Sequence, residues 1–216
     1  MNQAKSVYVP SLQDTVRGEI SGDQVEFERI LRLVAHGFED SAERNVPRLK
    51  PYVNYFRNCN NVLDIGCGEG LMLELLHEAG VRAVGIDIDA DKVTAVCSKG
   101  LEAINIQPNE YLRDKKGEFD GIFLRHLIEH FDGPEGVHLL YLCRKALRPN
   151  GVIVVVTPNY KSSDVAMQQF WLDVTHRRPY PLPLLLHIFA TLGIAVVRCE
   201  VREMGLDLVV VGQVPE

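Results

Sequence analysis

No run of about eighteen apolar residues occurs anywhere in this 216-residue chain, so a membrane-spanning helix is not expected. The opening residues, MNQAKSVYVPSLQDTVRGEI, lack the apolar core of a secretion signal. Basic residues are in deficit: 23 Lys and Arg stand against 29 Asp and Glu, a net charge of −6. A general grip on nucleic acid needs a basic face to neutralise phosphates, and this balance argues against one. Paired cysteines are lacking too. The five present (Cys59, Cys67, Cys97, Cys143 and Cys199) are odd in number, scattered and without a C-x-x-C pair. That excludes a disulfide frame or a zinc knuckle and suits free thiols in a reducing compartment. No internal repeat or low-complexity tract is visible. The expectation is a soluble cytoplasmic protein with no nucleic-acid partner and no membrane insertion, with a homodimer left open.

The 46% hydrophobic content suffices for one core. Residues 1–40 read as a polar arm and a cap helix, and residues 41–216 as the main domain. In SGDQVEFERILRLVAHGF, Phe27, Ile30, Leu31, Val34 and Phe38 recur at helical spacing, with Ser21 or Asp23 as start cap and Gly37 near the stop. A second helical segment, ERNVPRLKPYVNYF, contains two prolines. From Asn61 onward short apolar runs alternate with helical patterns: NVLDIG, RAVGID, LEAINI, FDGIFL and VIVVVTP are separated by helices, the last of which runs PEGVHLLYLCRKALRPNG. A helix near LPLLLHIFATLG and two closing strands, IAVVRCEV and LDLVVVGQ, complete the chain. Alternation of this kind predicts an α/β fold: a Rossmann-like, seven-stranded, mostly parallel sheet with helices on both faces. The closing pair is too close for a crossover and is expected as an antiparallel hairpin.

The stretch VLDIGCGEGL places Gly66, Gly68 and Gly70 between a strand and a helix, where a turn lets backbone approach a ligand. A dinucleotide fingerprint would carry a sixth-position glycine; Leu71 stands there, and Glu69 sits where a pyrophosphate would lie. Asp64 disfavours phosphate further and suits a ligand bearing an ammonium. Asp87, ending the next strand in VGIDID, is placed to accept hydrogen bonds from the hydroxyls of a ribose. A nucleoside with an ammonium and no phosphate describes S-adenosylmethionine.

On VLDIGCGEG, GIDID and LRPNGVIVVVTPN, the chain from about residue 41 resembles the class I S-adenosylmethionine-dependent methyltransferases. The resemblance implies that Gly66, Cys67 (through its backbone), Gly68 and Gly70 line the methionine and ribose, that Asp87 holds the ribose and that Ile88 lies against the adenine. Many relatives place an aspartate after the third strand; this chain reads IQPNEYL, which leaves Gln107 for the adenine amine.

RHLIEH, Arg125 to His130, matches the H-x-x-E-H pattern of a zinc protease, which needs an uninterrupted helix. Here it follows a strand directly and is followed by FDGPEG, so at most one helical turn is expected. As a strand-end motif it brings Arg125 and His126 beside the sulfonium, with Glu129 and His130 bracing the loop. The loop FWLDVTHRRPYPLP falls over the same edge of the sheet. His176 has the pKa range of a physiological base and Asp173 can orient it, with His126 next in line. Arg177 or Arg178 offers a fork for an anionic acceptor group, and Trp171 and Tyr180 offer flat faces for a sugar ring. The string W-L-D-x-T-H-x-R-P-Y also resembles a segment of methyltransferases associated with bacterial polysaccharide and glycan synthesis. A divalent cation such as magnesium could be ligated by Asp173, His126 and His176, although no spacing demands it. The expected activity is O-methylation of a saccharide or glycan precursor. Its alternatives are N- or O-methylation of another small metabolite, or a cofactor-binding partner subunit without its own chemistry.

Overall fold

The structure is a computed structural model and describes residues 22–36 and 42–216. Ser21, Gly37 and Phe38, expected at the ends of the first helix, lie outside the described residues. Helix α1 (Gly22–His36) belongs to one unit, and the described residues from 42 to 216 belong to a second. Within α1, Glu26 and Arg29 form a surface ion pair at 2.8 Å.

The second unit begins with α2 (Ala42–Val53), a helix that runs through both Pro47 and Pro51. Each proline removes one backbone donor, a cost that helix interiors rarely bear. Burial offsets it: Leu49, Tyr52 and Val53, with Phe56 just beyond, pack under the sheet against Val62 and Phe123.

The sheet strands are β1 (Val62–Ile65), β2 (Ala83–Asp87), β3 (Ala103–Asn105), β4 (Phe119–Arg125), β5 (Leu147–Pro158), β6 (Ala195–Arg202) and β7 (Asp207–Gln213). They lie in the order β3-β2-β1-β4-β5-β7-β6. The expected seven-stranded, mostly parallel sheet is present, and β7 runs antiparallel to both its neighbours. The closing pair is thus a hairpin, but it enters the sheet with its second strand inward. The reason is hydrophobic: β7 is buried along almost its whole length, whereas β6 is largely exposed, as an edge strand must be.

Between the strands come α3 (Leu71–Glu78), α4 (Ala90–Ser98), α5 (Pro108–Leu112), α6 (Gly133–Ala146), α7 (Ser163–Met167) and α8 (Leu182–Thr191). Helix starts follow local chemistry. Asp89 caps α4 by accepting from the amides of Asp91 and Lys92, and Asp132 with Glu135 forms a reciprocal capping box at α6. The expected long helix ending at Gly151 stops instead at Ala146. β5 begins at Leu147, and Pro149 with a left-handed Asn150 (φ 63°) inside it are incompatible with a continued helix.

The sheet separates two cores. Leu63, Ile65, Ile122, Leu124, Ile153 and Val155 face α6 and α8; Val62, Phe123, Val154, Val156 and Val209 face α2 and α3. Strand order reverses between β1 and β4, which opens a crevice at their carboxyl ends. Because β7 is antiparallel, its first residue, Asp207, reaches this same edge, paired in register with Pro158. Among the described residues, no helix is long and apolar enough to cross a membrane, and all five cysteines are unpaired.

Candidate active site

The glycine turn after β1 is built from three left-handed residues, Gly66, Gly68 and Gly70, with φ of 74°, 52° and 79°. A side chain at Gly66 would press on Leu127, and one at Gly70 would strike Val96, whereas Gly68 opens onto free space. Four amides of this turn have partners within the protein. Gly66 and Cys67 both donate to the Ile86 carbonyl, Gly70 donates to the Cys67 carbonyl, and Gly68 donates to Oδ2 of Asp87 at 2.9 Å. The turn offers close backbone approach over Gly68. The Cys67 side chain turns inward, over Gly85.

Asp87 accepts from Gly68 at one oxygen and from the Asp89 amide, at 2.9 Å, at the other. Each carboxylate oxygen has a second lone pair, so two acceptor positions remain on a partly exposed group. Ile88 beside it is 56% exposed. Gln107 is exposed at the start of α5 and makes no capping bond there.

Asp64 lies beneath the turn, fully enclosed, and its Oδ2 has no partner among the described residues. Burial, reinforced by the charge of Asp87, pushes its pKa up to about 7 against the opposing pull of Arg125. On the same face Arg125 donates from Nη2 to Oδ1 of Asn45 at 3.2 Å, while its buried Nε has no partner. An orphaned carboxylate oxygen, an orphaned guanidinium nitrogen and open space over Gly68 complement a ligand that carries an ammonium and a carboxylate. These residues fit S-adenosylmethionine.

His126 leaves β4 with a left-handed backbone (φ 49°). Its Nδ1 lies 3.3 Å from Oε1 of Glu129 and its Nε2 lies 3.3 Å from Oδ1 of Asp207. Burial opposes its charge, but Asp207 and Glu129 outweigh burial and Arg125, so its pKa rises to about 9. His126 is held as an imidazolium with both nitrogens engaged. Glu129 is fully buried in the single 3-10 turn Ile128–His130 and also accepts from Oγ1 of Thr157 at 3.0 Å. Burial raises its pKa, yet His126 and His130 bring it below the usual value.

The loop expected over this edge does arrive there. The backbone amides of Arg177 and Arg178 donate to the Glu129 carbonyl at 2.8 and 3.3 Å. His176 donates from Nδ1 to the Phe170 carbonyl at 2.7 Å, which leaves Nε2 to face the cluster. That Nε2 lies 3.7 Å from Oδ2 of Asp173 and 4.0 Å from Oε1 of Glu129. Oγ1 of Thr175 donates to Oδ1 of Asp173 at 2.6 Å and accepts from Nδ1 of His130 at 2.9 Å. Asp173 therefore orients His130 through Thr175, a link that the sequence did not disclose.

Other loop residues differ from expectation. Tyr180 is fully buried and donates to the carbonyls of Phe131 and Asp132, so it presents no face to an acceptor. Arg178 lies over the Tyr180 ring, 5.2 Å from its centroid, and contacts the start of α6 at Gly133. Its guanidinium lies against the first residue of that helix. Arg177 is exposed and pairs with Glu135 at 3.1 Å. Trp171 is 56% exposed, its indole nitrogen donating to the Ala166 carbonyl. Met167, Leu172 and Val174 are exposed on the same segment.

Comparison with known proteins gives a consistent frame. Residues 30–198 match a family described as a methyltransferase domain. A ubiquinone biosynthesis O-methyltransferase of Hydrogenovibrio crunogenus is 28% identical over 121 residues, covering 51% of this chain and 49% of the relative. The protein of the same description from Idiomarina loihiensis is 33% identical over 104 residues, covering 45% and 42%. The chain thus spans less than half the length of these curated relatives. Among solved structures, a SAM-dependent methyltransferase from Archaeoglobus fulgidus superposes with a TM-score of 0.77 at 27% identity, covering 84% of this chain and 98% of its own. A 1,6-didemethyltoxoflavin-N1-methyltransferase of Burkholderia thailandensis shares the fold, with a TM-score of 0.68 at 16% identity over 98% of this chain and 93% of its own.

Proposed function

The chain belongs to the methyltransferase-domain family and has the class I S-adenosylmethionine-dependent fold; from that premise we propose that it methylates a hydroxyl oxygen of a small molecule. The observation carrying this reading is the convergence of Glu129, His130 and His176 just after β4, in the segment whose Leu127 packs on Gly66 of the glycine turn. When bound, S-adenosylmethionine supplies an electrophilic methyl group on a sulfonium. Asp64 would hold its ammonium, Arg125 its carboxylate and Asp87 its ribose hydroxyls, with Ile88 against the adenine and Gln107 at the adenine edge.

An amine sheds its proton readily near neutral pH, but a hydroxyl needs help as charge develops on oxygen. Two imidazoles and a buried carboxylate offer that help, which favours O- over N-methylation. His176, the base expected from sequence, belongs to this cluster. His126 does not act as a base in this reading, because neither of its nitrogens is free.

The acceptor would lie along the exposed apolar residues Met167, Trp171, Leu172 and Val174, which suit a molecule with an apolar body. A saccharide acceptor is supported only by the loop string around Asp173 to Arg178. Burial of Tyr180 removes one of its expected contacts.

The test is methyl transfer from labelled S-adenosylmethionine by the full chain to phenols, aliphatic alcohols, sugars and amines. Transfer to an apolar hydroxyl compound is the expected result. Transfer confined to amines overturns the reading. Tight cofactor binding with turnover only after a second protein is added would instead make the chain a partner subunit.

A further inference from the structure

Glu129, His130 and His176 each present one potential metal-binding atom, and these atoms all lie within 4.8 Å of one another. We propose that this cluster is a site for a single divalent transition-metal ion, bound by two imidazole nitrogens and one carboxylate oxygen. The site stands on its own geometry; its role in activating a hydroxyl rests on the functional reading above.

Three features argue for an ion. Metal–nitrogen and metal–oxygen bonds to such ions are about 2.0–2.2 Å, so an ion between the three residues needs only a small contraction of the cluster. Each histidine is also held as a metal-binding histidine usually is, with its second nitrogen donating to a fixed acceptor. His176 uses Nδ1 on the Phe170 carbonyl, and His130 uses Nδ1 on Thr175, which Asp173 anchors in turn. Glu129 is fixed through Oε2 by Thr157 and through Oε1 by His126.

The third feature is placement. Nε2 of His176, on a side chain only 10% exposed, lies 4.0 Å from Oε1 of Glu129 and 3.7 Å from Oδ2 of Asp173, so the imidazole faces carboxylate oxygens from within the protein.

The donor set also specifies the class of ion. Magnesium takes oxygen ligands, whereas two imidazoles with one carboxylate suit zinc, cobalt, manganese or ferrous iron. Three protein ligands leave positions open for an acceptor oxygen. Of the ligands expected from sequence only His176 belongs to this set. His126 is committed to Glu129 and Asp207, and Asp173 serves mainly to orient His130.

The experiment uses the full chain, stripped with chelator and titrated with Co2+ alone, followed by visible absorption and calorimetry. One equivalent should bind, with absorption bands of a nitrogen- and oxygen-ligated ion. His130→Ala and His176→Ala should each weaken binding about a hundredfold, while His77→Ala, at an exposed histidine, should not. Undiminished binding of S-adenosylhomocysteine by the two site variants would show that they remain folded. Absence of Co2+ binding by the wild type, or its retention in both site variants, overturns the site. Chelator-resistant hydroxyl methylation by a chain that binds no Co2+ would leave the functional reading intact. Stoichiometric Co2+ binding with transfer only to amines would establish the site and reject that reading.

Discussion

The hydroxyl of Tyr180 fills the space above Gly136, where a Cβ would overlap it. Gly136 lies in the first turn of α6, and Tyr180 donates from that position to the carbonyls that precede the helix. The loop bearing His176 is thereby fastened to the element that follows Glu129.

Gly136→Ala should accordingly destabilise the protein although alanine is the better helix former. Overpacking of this kind typically costs about 1–3 kcal/mol. Tyr180→Phe keeps the ring and loses the hydroxyl bonds, and should cost about 1 kcal/mol. Chemical denaturation of both variants checks the order. If Gly136→Ala matched the wild type, the loop would not be anchored there.

Much of this arrangement was legible in the sequence, and the illegible part has a common cause. Strand and helix alternation, the glycine turn, Asp87 and the approach of the 170–183 loop all follow from local pattern. The role of Tyr180 does not, because it depends on a glycine some forty residues earlier, Gly136. The pairing of His126 with Asp207 was hidden likewise: it requires β7 to enter the sheet inside β6, which brings the start of β7 to the catalytic edge. The helix through Pro47 and Pro51 was obscured because burial overrides local preference there. Distant partners, rather than unusual residue types, account for what the sequence concealed.

The elevated pKa of Asp64 gives cofactor binding a pH signature. A cation that requires ionised Asp64 must displace its proton below about pH 7. Affinity for S-adenosylhomocysteine, whose ammonium would meet this carboxylate, should rise about tenfold per unit as pH climbs towards 7, then level off. For the unliganded protein the sign is reversed. A carboxyl with a raised folded pKa contributes stability at low pH that is lost between about pH 4 and 7. Calorimetry at several pH values checks the first expectation, and Asp64→Asn should flatten the profile.

Asp87 both accepts from Gly68 and offers its remaining lone pairs outward. Asp87→Ala should therefore weaken cofactor binding by at least about tenfold, through loss of a charge-assisted hydrogen bond and slackening of the glycine turn. Equilibrium titration with S-adenosylhomocysteine measures this directly. An unchanged affinity would remove Asp87 from the cofactor site.

His176 and His126 share Glu129 as a neighbour, yet their replacement should have opposite consequences. His176 keeps a free Nε2 facing the cluster, so His176→Ala should reduce turnover by about a hundredfold or more while cofactor affinity stays within about threefold. His126 is the cation between two carboxylates, Glu129 and Asp207, that are themselves almost wholly enclosed. His126→Ala would strand both charges, so its first effect should be a lower melting temperature. His126→Lys would restore charge without imidazole geometry and should recover part of that loss. Measuring turnover, cofactor affinity and melting for each variant separates the roles. Were His126→Ala to melt normally and lose only turnover, His126 would be the catalytic histidine and the assignment of His176 would fall.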